Sequence, residues 1–158
     1  MDRTDGRRVL SRFPYGIFVA GSREGDRPLV MIATWVTQVS FYPQLVAISL
    51  ENNSAMDRAV RNTGYFSLNL FPTDAKEIAA SFLKPAEATP AAIRGREWYG
   101  GENGSPFLRD ASACLECRVV ERLTTGDHEL VVGEVVDART HAEGQVLTLR
   151  KTGWKYQR

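Results

Sequence analysis

Apolar positions along the chain fall mostly into short runs broken by glycine, proline and charged clusters, which is the pattern of strands rather than long helices. Gly16-Ile17-Phe18-Val19-Ala20-Gly21 and Pro28-Leu29-Val30-Met31-Ile32-Ala33 flank the charged turn Arg23-Glu24-Gly25-Asp26-Arg27 and read as a hairpin. Leu45-Val46-Ala47-Ile48-Ser49-Leu50 and Tyr65-Phe66-Ser67-Leu68-Asn69-Leu70 supply a third and a fourth strand. Two long strands, 113–122 and 130–140, flank Leu123-Thr124-Thr125-Gly126-Asp127-His128-Glu129, and a hairpin through Ala142-Glu143-Gly144 leads into a last strand over 146–150.

Helical spacing interrupts this pattern in three places. Val9, Leu10 and Phe13 predict a lid or packing helix over 4–13, ending at Pro14. Ala55 to Asn62 follows the capping residue Ser54 and stops before Gly64, and 74–83 turns Ile78, Ala79 and Phe82 inward before Lys84-Pro85 halts it. From Ala86 to Ser105 there is no periodicity, and so long a loop within a compact chain is expected to be functional or mobile.

The fold class expected is mainly β with short helices, a closed or nearly closed antiparallel barrel, because closure removes the exposed edges such a sheet would present. A length of 158 residues suits one domain spanning 1–158, and 43% hydrophobic with 25% charged residues excludes disordered, collagenous and coiled-coil classes. Net charge is +1 from 20 basic and 19 acidic residues that are scattered rather than striped, so no nucleic-acid partner is expected. The opening Met1-Asp2-Arg3-Thr4-Asp5-Gly6-Arg7-Arg8 is too polar for a secretory segment, and no apolar run nears the ~18 residues of a membrane span. A cytoplasmic protein is the expectation.

Cys114 and Cys117 form a C-x-x-C within a strand-like run, where a three-residue offset faces the side chains oppositely with Cα atoms ~10 Å apart. A disulfide needs ~4 to 7 Å, and His128 and His141 do not complete a metal set, so both are read as structural thiols with no metal. The unusual segment is Ala33-Thr34-Trp35-Val36-Thr37-Gln38-Val39-Ser40, dense in hydroxyl and amide groups between two strands; alone it is either an alternating strand or a ligand-facing groove. Asn52-Asn53-Ser54 lies at a helix start one strand later, where unpaired N–H groups and the macrodipole attract phosphate, with Arg58 one turn on. Asp127 and His128, adjacent in a strand or turn, are expected to point apart rather than form a dyad. His141 is expected at the surface, and Gly100, Gly101 and Gly104 are not a dinucleotide fingerprint but suit a mobile flap. Trp35, Trp98 and Trp154 are read as packing aromatics, with Trp35 and Trp98 able to touch a bound ring.

In order along the chain, Phe13-Pro14-Tyr15-Gly16, Met31 to Ser40, Pro43-Gln44-Leu45-Val46, Asn52-Asn53-Ser54 and Phe66-Ser67-Leu68-Asn69-Leu70 are joined by Ser105-Pro106-Phe107-Leu108, Leu115-Glu116-Cys117, Gly126-Asp127-His128 and Val132-Gly133-Glu134-Val135. This ordered set, from about Phe13 to Tyr156, resembles the flavin reductase-like family, with its FMN-binding split β-barrel. The resemblance implies a homodimer with one flavin per subunit, FMN or FAD, reduced by hydride from NADH or NADPH, and electrons passed to free flavin, ferric chelates or a partner such as a monooxygenase. It implies that Ala33, Thr34, Trp35, Val36, Thr37, Gln38 and Ser40 lie along the isoalloxazine, that Asn53 and Ser54 sit at the phosphate, and that His128, the candidate catalytic residue, stands close to the flavin or the nicotinamide. Met56 departs from the family's usual hydroxyl residue, and Lys84 is a replacement cation there. The alternative within the same fold is a non-enzymatic flavin- or haem-binding electron carrier.

Overall fold

The computed structural model describes residues 3–84 and 89–155. Met1-Asp2, the Pro85 helix stop, the start of the expected loop at 86–88 and Tyr156 lie outside the described residues. The elements are α1 (Arg3–Leu10), β1 (Phe18–Glu24), β2 (Arg27–Ala33), β3 (Val36–Ser40), β4 (Leu45–Glu51), α2 (Ala55–Thr63) and β5 (Tyr65–Leu70). They continue as α3 (Lys76–Ala80), β6 (Ala92–Ile93), β7 (Arg96–Gly100), β8 (Pro106–Leu108), β9 (Ala113–Thr125), β10 (His128–Thr140) and α4 (Leu149–Thr152).

Seven strands form one antiparallel sheet in the order β2-β1-β5-β9-β10-β4-β3, and β6-β7-β8 form a smaller one. The hydrogen-bonded order is open, with β2 and β3 as edges. These two edges are consecutive along the chain, joined by Thr34 and Trp35. The β1–β2 hairpin turns on Gly25 and Asp26, with Gly25 at φ 61°, a left-handed value that glycine adopts without strain. β9 and β10 pair along nearly their whole length and turn at Gly126-Asp127, a tighter hairpin than the predicted seven-residue connection.

Period-two alternation divides the apolar residues between two buried clusters. Val19 joins Ile17, Phe71, Phe82, Phe107, Leu108 and Leu147 in one, while its neighbour Ala20 joins Ile48, Leu50, Phe66, Leu68 and Val131 in the other. Cys114 and Cys117 separate in the same way, one into each cluster, as their spacing predicts. Both thiols are free and buried, and burial pushes each from its ordinary 9.0 up to about 12. Where β9 and β10 press against Phe66, a Cβ on Gly133 would stand 2.6 Å from Cys117 Cβ, so only glycine permits that approach.

The last predicted strand is corrected. Val146 and Thr148 each make one isolated bridge, to Pro72 and Gly16, and the chain then coils into α4 because Lys151 and Thr152 donate to the Thr148 carbonyl. The expected flap is also corrected: Gly101 to Ser105 is a tied turn rather than a free one. The fully buried Glu116 carboxylate accepts the Asn103 N–H at 2.7 Å, the Asn103 amide at 3.2 Å and the Ser105 N–H at 2.8 Å, and Asp137 accepts from Glu102. The cleft described below is not lined by this turn.

Candidate functional site

A cleft of about 550 Å³ opens beside the β2–β3 junction, within the range usual for small-molecule sites. Leu29, Val30, Met31 and Ile32 all line it. Four consecutive strand residues reach one cavity only when the strand's edge, not one face, borders it, and β2 is an edge strand. Thr34 and Trp35 continue that wall, Ser54, Ala55 and Met56 form another, and Phe82, Leu83, Lys84, Leu149, Trp154 and Lys155 complete it.

The wall from 54 to 56 is the start of α2. Ser54 Oγ accepts the Asp57 N–H at 3.1 Å and the Ser54 carbonyl accepts the Arg58 N–H at 3.0 Å. The N–H groups of Ala55 and Met56 are thereby the ones without an intrahelical acceptor at this end, and with the macrodipole they make the wall attractive to an anion. Lys84 and Lys155 supply cations, and among the described residues no carboxylate lines the cleft.

An ionic network fixes this helix end. The Asp57 carboxylate, 2% exposed, accepts the Asn53 N–H at 3.1 Å and pairs with Arg122. Arg122 Nε also donates to Glu129 at 2.8 Å, and Arg61 donates to the same carboxylate at 2.7 Å. The start of α2 is thus bolted to the β9–β10 hairpin, one residue from His128. The sequence reading missed this network, although Asp57 at the third position of the helix was a legible capping signal.

The sequence-predicted residues divide. Thr34, Trp35, Ser54 and Lys84 meet in the cleft. Ala33 is buried in the second core cluster and Val36 packs against it. Thr37 and Gln38 are exposed and donate to backbone carbonyls of their own strand, those of Gln38 and Ser40, and Ser40 ends that strand. Asn53 precedes the cap at φ 61°, and its carbonyl accepts from Arg58, whose side chain lies with Arg23, Glu24 and Asn62 away from the cleft. Arg58 is one turn beyond the cap but on another face of α2.

His128 stands behind the cleft wall. Its ring centroid is 4.8 Å from that of Trp35, and the Trp35 carbonyl accepts the Ser49 N–H at 3.0 Å. The expectation that Asp127 and His128 point apart is corrected: His128 Nδ1 lies 2.6 Å from Asp127 Oδ1. Asp127 occupies the hairpin turn, where strand alternation does not apply. Trp98 packs against the first core cluster, whereas Trp154 lines the cleft, so the second aromatic of the site is Trp154. His141 is exposed, as expected, and bonded to Tyr99 at 2.8 Å. Leu29 to Ile32 and Lys155 were not among the expected cofactor-binding residues and Trp154 was read as a packing aromatic; they reach the cleft through long-range packing that no local motif announces. Among the described residues no helix is long and apolar enough to cross a membrane.

An antiparallel sheet open between consecutive edge strands, with a helix end and two lysines beside the cleft at the opening, suits a small anionic ligand. The chain belongs to the family of the flavin reductase like domain, whose model matches residues 10–155. It is 30% identical over 141 residues to the NADH-dependent FMN reductase AsuE2 of Streptomyces nodosus subsp. asukaensis, covering 87% of this chain and 75% of that protein. Over 153 residues it is 31% identical to the putative diflavin flavoprotein A 3 of Nostoc sp. (strain PCC 7120), covering 94% of this chain and 26% of that protein. The chain therefore spans about a quarter of the first curated relatives it matches. Among solved structures, the NADH:FAD oxidoreductase SgcE6 of Streptomyces globisporus C-1027 superposes with TM-score 0.76 at 30% identity, covering 88% of this chain and 83% of that one. BorF, the flavin reductase component of a bacterial two-component tryptophan halogenase, gives 0.79 at 25%, covering 96% and 95%.

Proposed function

We propose that this chain is an NAD(P)H-dependent flavin reductase that binds FMN, or FAD, in the cleft between β2, the start of α2 and Lys84. The observation that carries this reading is the meeting of an exposed strand edge with an anion-attracting helix end in a single cavity. Its backing is family membership and the names of the relatives above. The bound flavin supplies the hydride-accepting ring. The chain supplies what holds it: main-chain groups of the β2 edge for the polar rim of a planar heterocycle, the Ala55 and Met56 N–H groups and Lys84 for its phosphate, and Trp35 and Trp154 as apolar walls. His128 is a positioning residue, setting the Trp35 ring from behind.

In the same reading the open sheet is a split barrel whose split is the β2–β3 gap, and residues 1–158 act as one cytoplasmic domain, paired with a second copy. Electrons leave to free flavin or to a partner such as a monooxygenase, as BorF's description as one component of a two-component halogenase suggests. Purified protein titrated with FMN and then with NADH under anaerobic conditions tests the reading. Expected are saturable binding and bleaching of the flavin band; binding without bleaching leaves a carrier, and no binding removes the proposal. Ser54→Asp sharpens it. Aspartate caps helices as well as serine does, yet its charge repels phosphate, so FMN should weaken by about tenfold or more while riboflavin, which has no phosphate, is unaffected.

A further inference from the structure

The end of α2 that faces the cleft carries a carboxylate of its own. Asp57 follows Met56 directly, and its side chain, 2% exposed, accepts the Asn53 N–H at 3.1 Å. That bond fastens Asn53 at φ 61°, the left-handed turn through which the chain passes from β4 into the helix. The same carboxylate works against an anionic ligand. A negative charge buried behind the first turn cancels part of the positive field of the free N–H groups, and burial keeps solvent and salt from screening it.

Two guanidinium groups answer that charge. Arg122 of β9 pairs with Asp57 and donates its Nε to Glu129 at 2.8 Å. Arg61 of α2 donates to Glu129 at 2.7 Å and lies 3.6 Å from Asp57. Two carboxylates with two guanidiniums make a network that is formally neutral. Uncharged bonds also hold the loop in place: the Asn52 N–H donates to the Asp127 carbonyl at 3.1 Å, its side-chain amide to the Gly126 carbonyl at 3.3 Å, and the Ser54 N–H to the Glu51 carbonyl at 3.1 Å. What Arg122 adds to these is charge. Its side chain is 17% exposed against 53% for Arg61, so it is the cation that solvent weakens less.

We propose that Arg122 is a positioning residue that acts through Asp57: it neutralises the capping carboxylate, so that the Ala55 and Met56 N–H groups and Lys84 attract a phosphate undiminished. The network thereby sets the preference of the cleft for a phosphorylated flavin over an unphosphorylated one. The proposal deepens the reading of this cleft as a flavin site and rests on it.

Charge changes of opposite sign within one network separate this role from a mechanical one. Kd is measured for FMN and for riboflavin with the full chain and with Arg122→Met, Arg61→Gln and Glu129→Gln, each shown by circular dichroism to be folded. Arg122→Met leaves one negative charge in excess and should raise the ratio of the FMN Kd to the riboflavin Kd by about tenfold. Arg61→Gln should raise it by less. Glu129→Gln also breaks bonds to both arginines but leaves a positive excess, so the ratio should hold or fall. A ratio that does not rise in Arg122→Met, or that rises in Glu129→Gln as well, overturns the proposal while FMN binding by the parent chain leaves the flavin site standing. Where Arg122→Met does not fold, Arg61→Gln carries the same comparison. Inorganic phosphate gives an arm independent of flavin: it should raise the melting temperature of the parent chain and of Glu129→Gln more than that of Arg122→Met or Arg61→Gln. Equal shifts in all four proteins overturn the assignment even where FMN binding fails.

Discussion

At the scale of single residues, the positioning role proposed for His128 acts on the cleft from outside it. Its imidazole packs at 4.8 Å on Trp35, which lines the cavity, and is itself oriented by Asp127. Removing the ring behind Trp35 frees the indole, so His128→Ala should weaken FMN only as long as Trp35 is present. A double-mutant cycle on FMN affinity with Trp35→Ala should give a coupling of about 0.5–1.5 kcal/mol, and additive effects would remove the positioning role. The cysteines carry a different prediction. Each thiol is neutral in the folded chain up to about pH 12, against an ordinary 9.0, so its burial contributes stability in full below pH 9.0 and loses it as pH climbs toward 12. Thermal melts of the parent chain should therefore fall steadily above pH 9.0, and the fall should shrink in Cys114→Ala/Cys117→Ala. Equal slopes in the two proteins would assign the alkaline loss to other groups.

At the scale of elements, the buried network shows why one ion pair matters and another does not. Arg122, whose side chain is 17% exposed, is shared by the carboxylates of Asp57 and Glu129, while Arg118 pairs with Glu134 at 50% and 33% exposure. Arg122→Met leaves two buried carboxylates with Arg61 as their remaining cation, and should cost about 3–5 kcal/mol in urea unfolding. Arg118→Met should cost less than about 1 kcal/mol, since solvent already screens that pair. Comparable losses would mean that the helix end is not held by the network. The same helix was the most legible element of the chain, because Ser54 and Gly64 punctuate it locally and the structure uses both as caps. The stretch after Val146 was not legible. Its apolar alternation ends at Leu147, whose N–H bonds the Phe71 carbonyl, and α4 follows from contacts with no counterpart in local spacing. The site divides by the same rule: Thr34, Trp35 and Ser54 lie in local motifs and Lys84 entered with the family resemblance, whereas Trp154 and Lys155 arrive from the far end of the chain.

At the scale of the whole molecule, the sheet turns apolar side chains to solvent at the β3–β4 corner and on β9. Phe41 is 89% exposed, Tyr42 96% and Val39 50%, all at the β3–β4 corner, and toward the β9–β10 turn Leu123 of β9 is 58% exposed beside Leu130. Exposed rings of this size are uncommon on a surface that stays in water. A second copy of the chain is the partner proposed for them, and a two-fold interface places each side chain in the contact twice. Phe41→Glu therefore brings two carboxylates into one interface, and Leu123→Lys two ammonium groups. Sedimentation velocity should find the parent chain at twice the mass of a single copy, and either variant shifted toward one copy with an unchanged melting temperature below dissociation. Trp35 lines the cleft and its carbonyl accepts the Ser49 N–H, in register with Leu130 and Leu123, so dissociation should also weaken FMN, although no substituted residue lines the cavity. A parent chain that sediments as one copy, or variants that remain paired, would leave these rings to a different partner and would separate flavin binding from assembly.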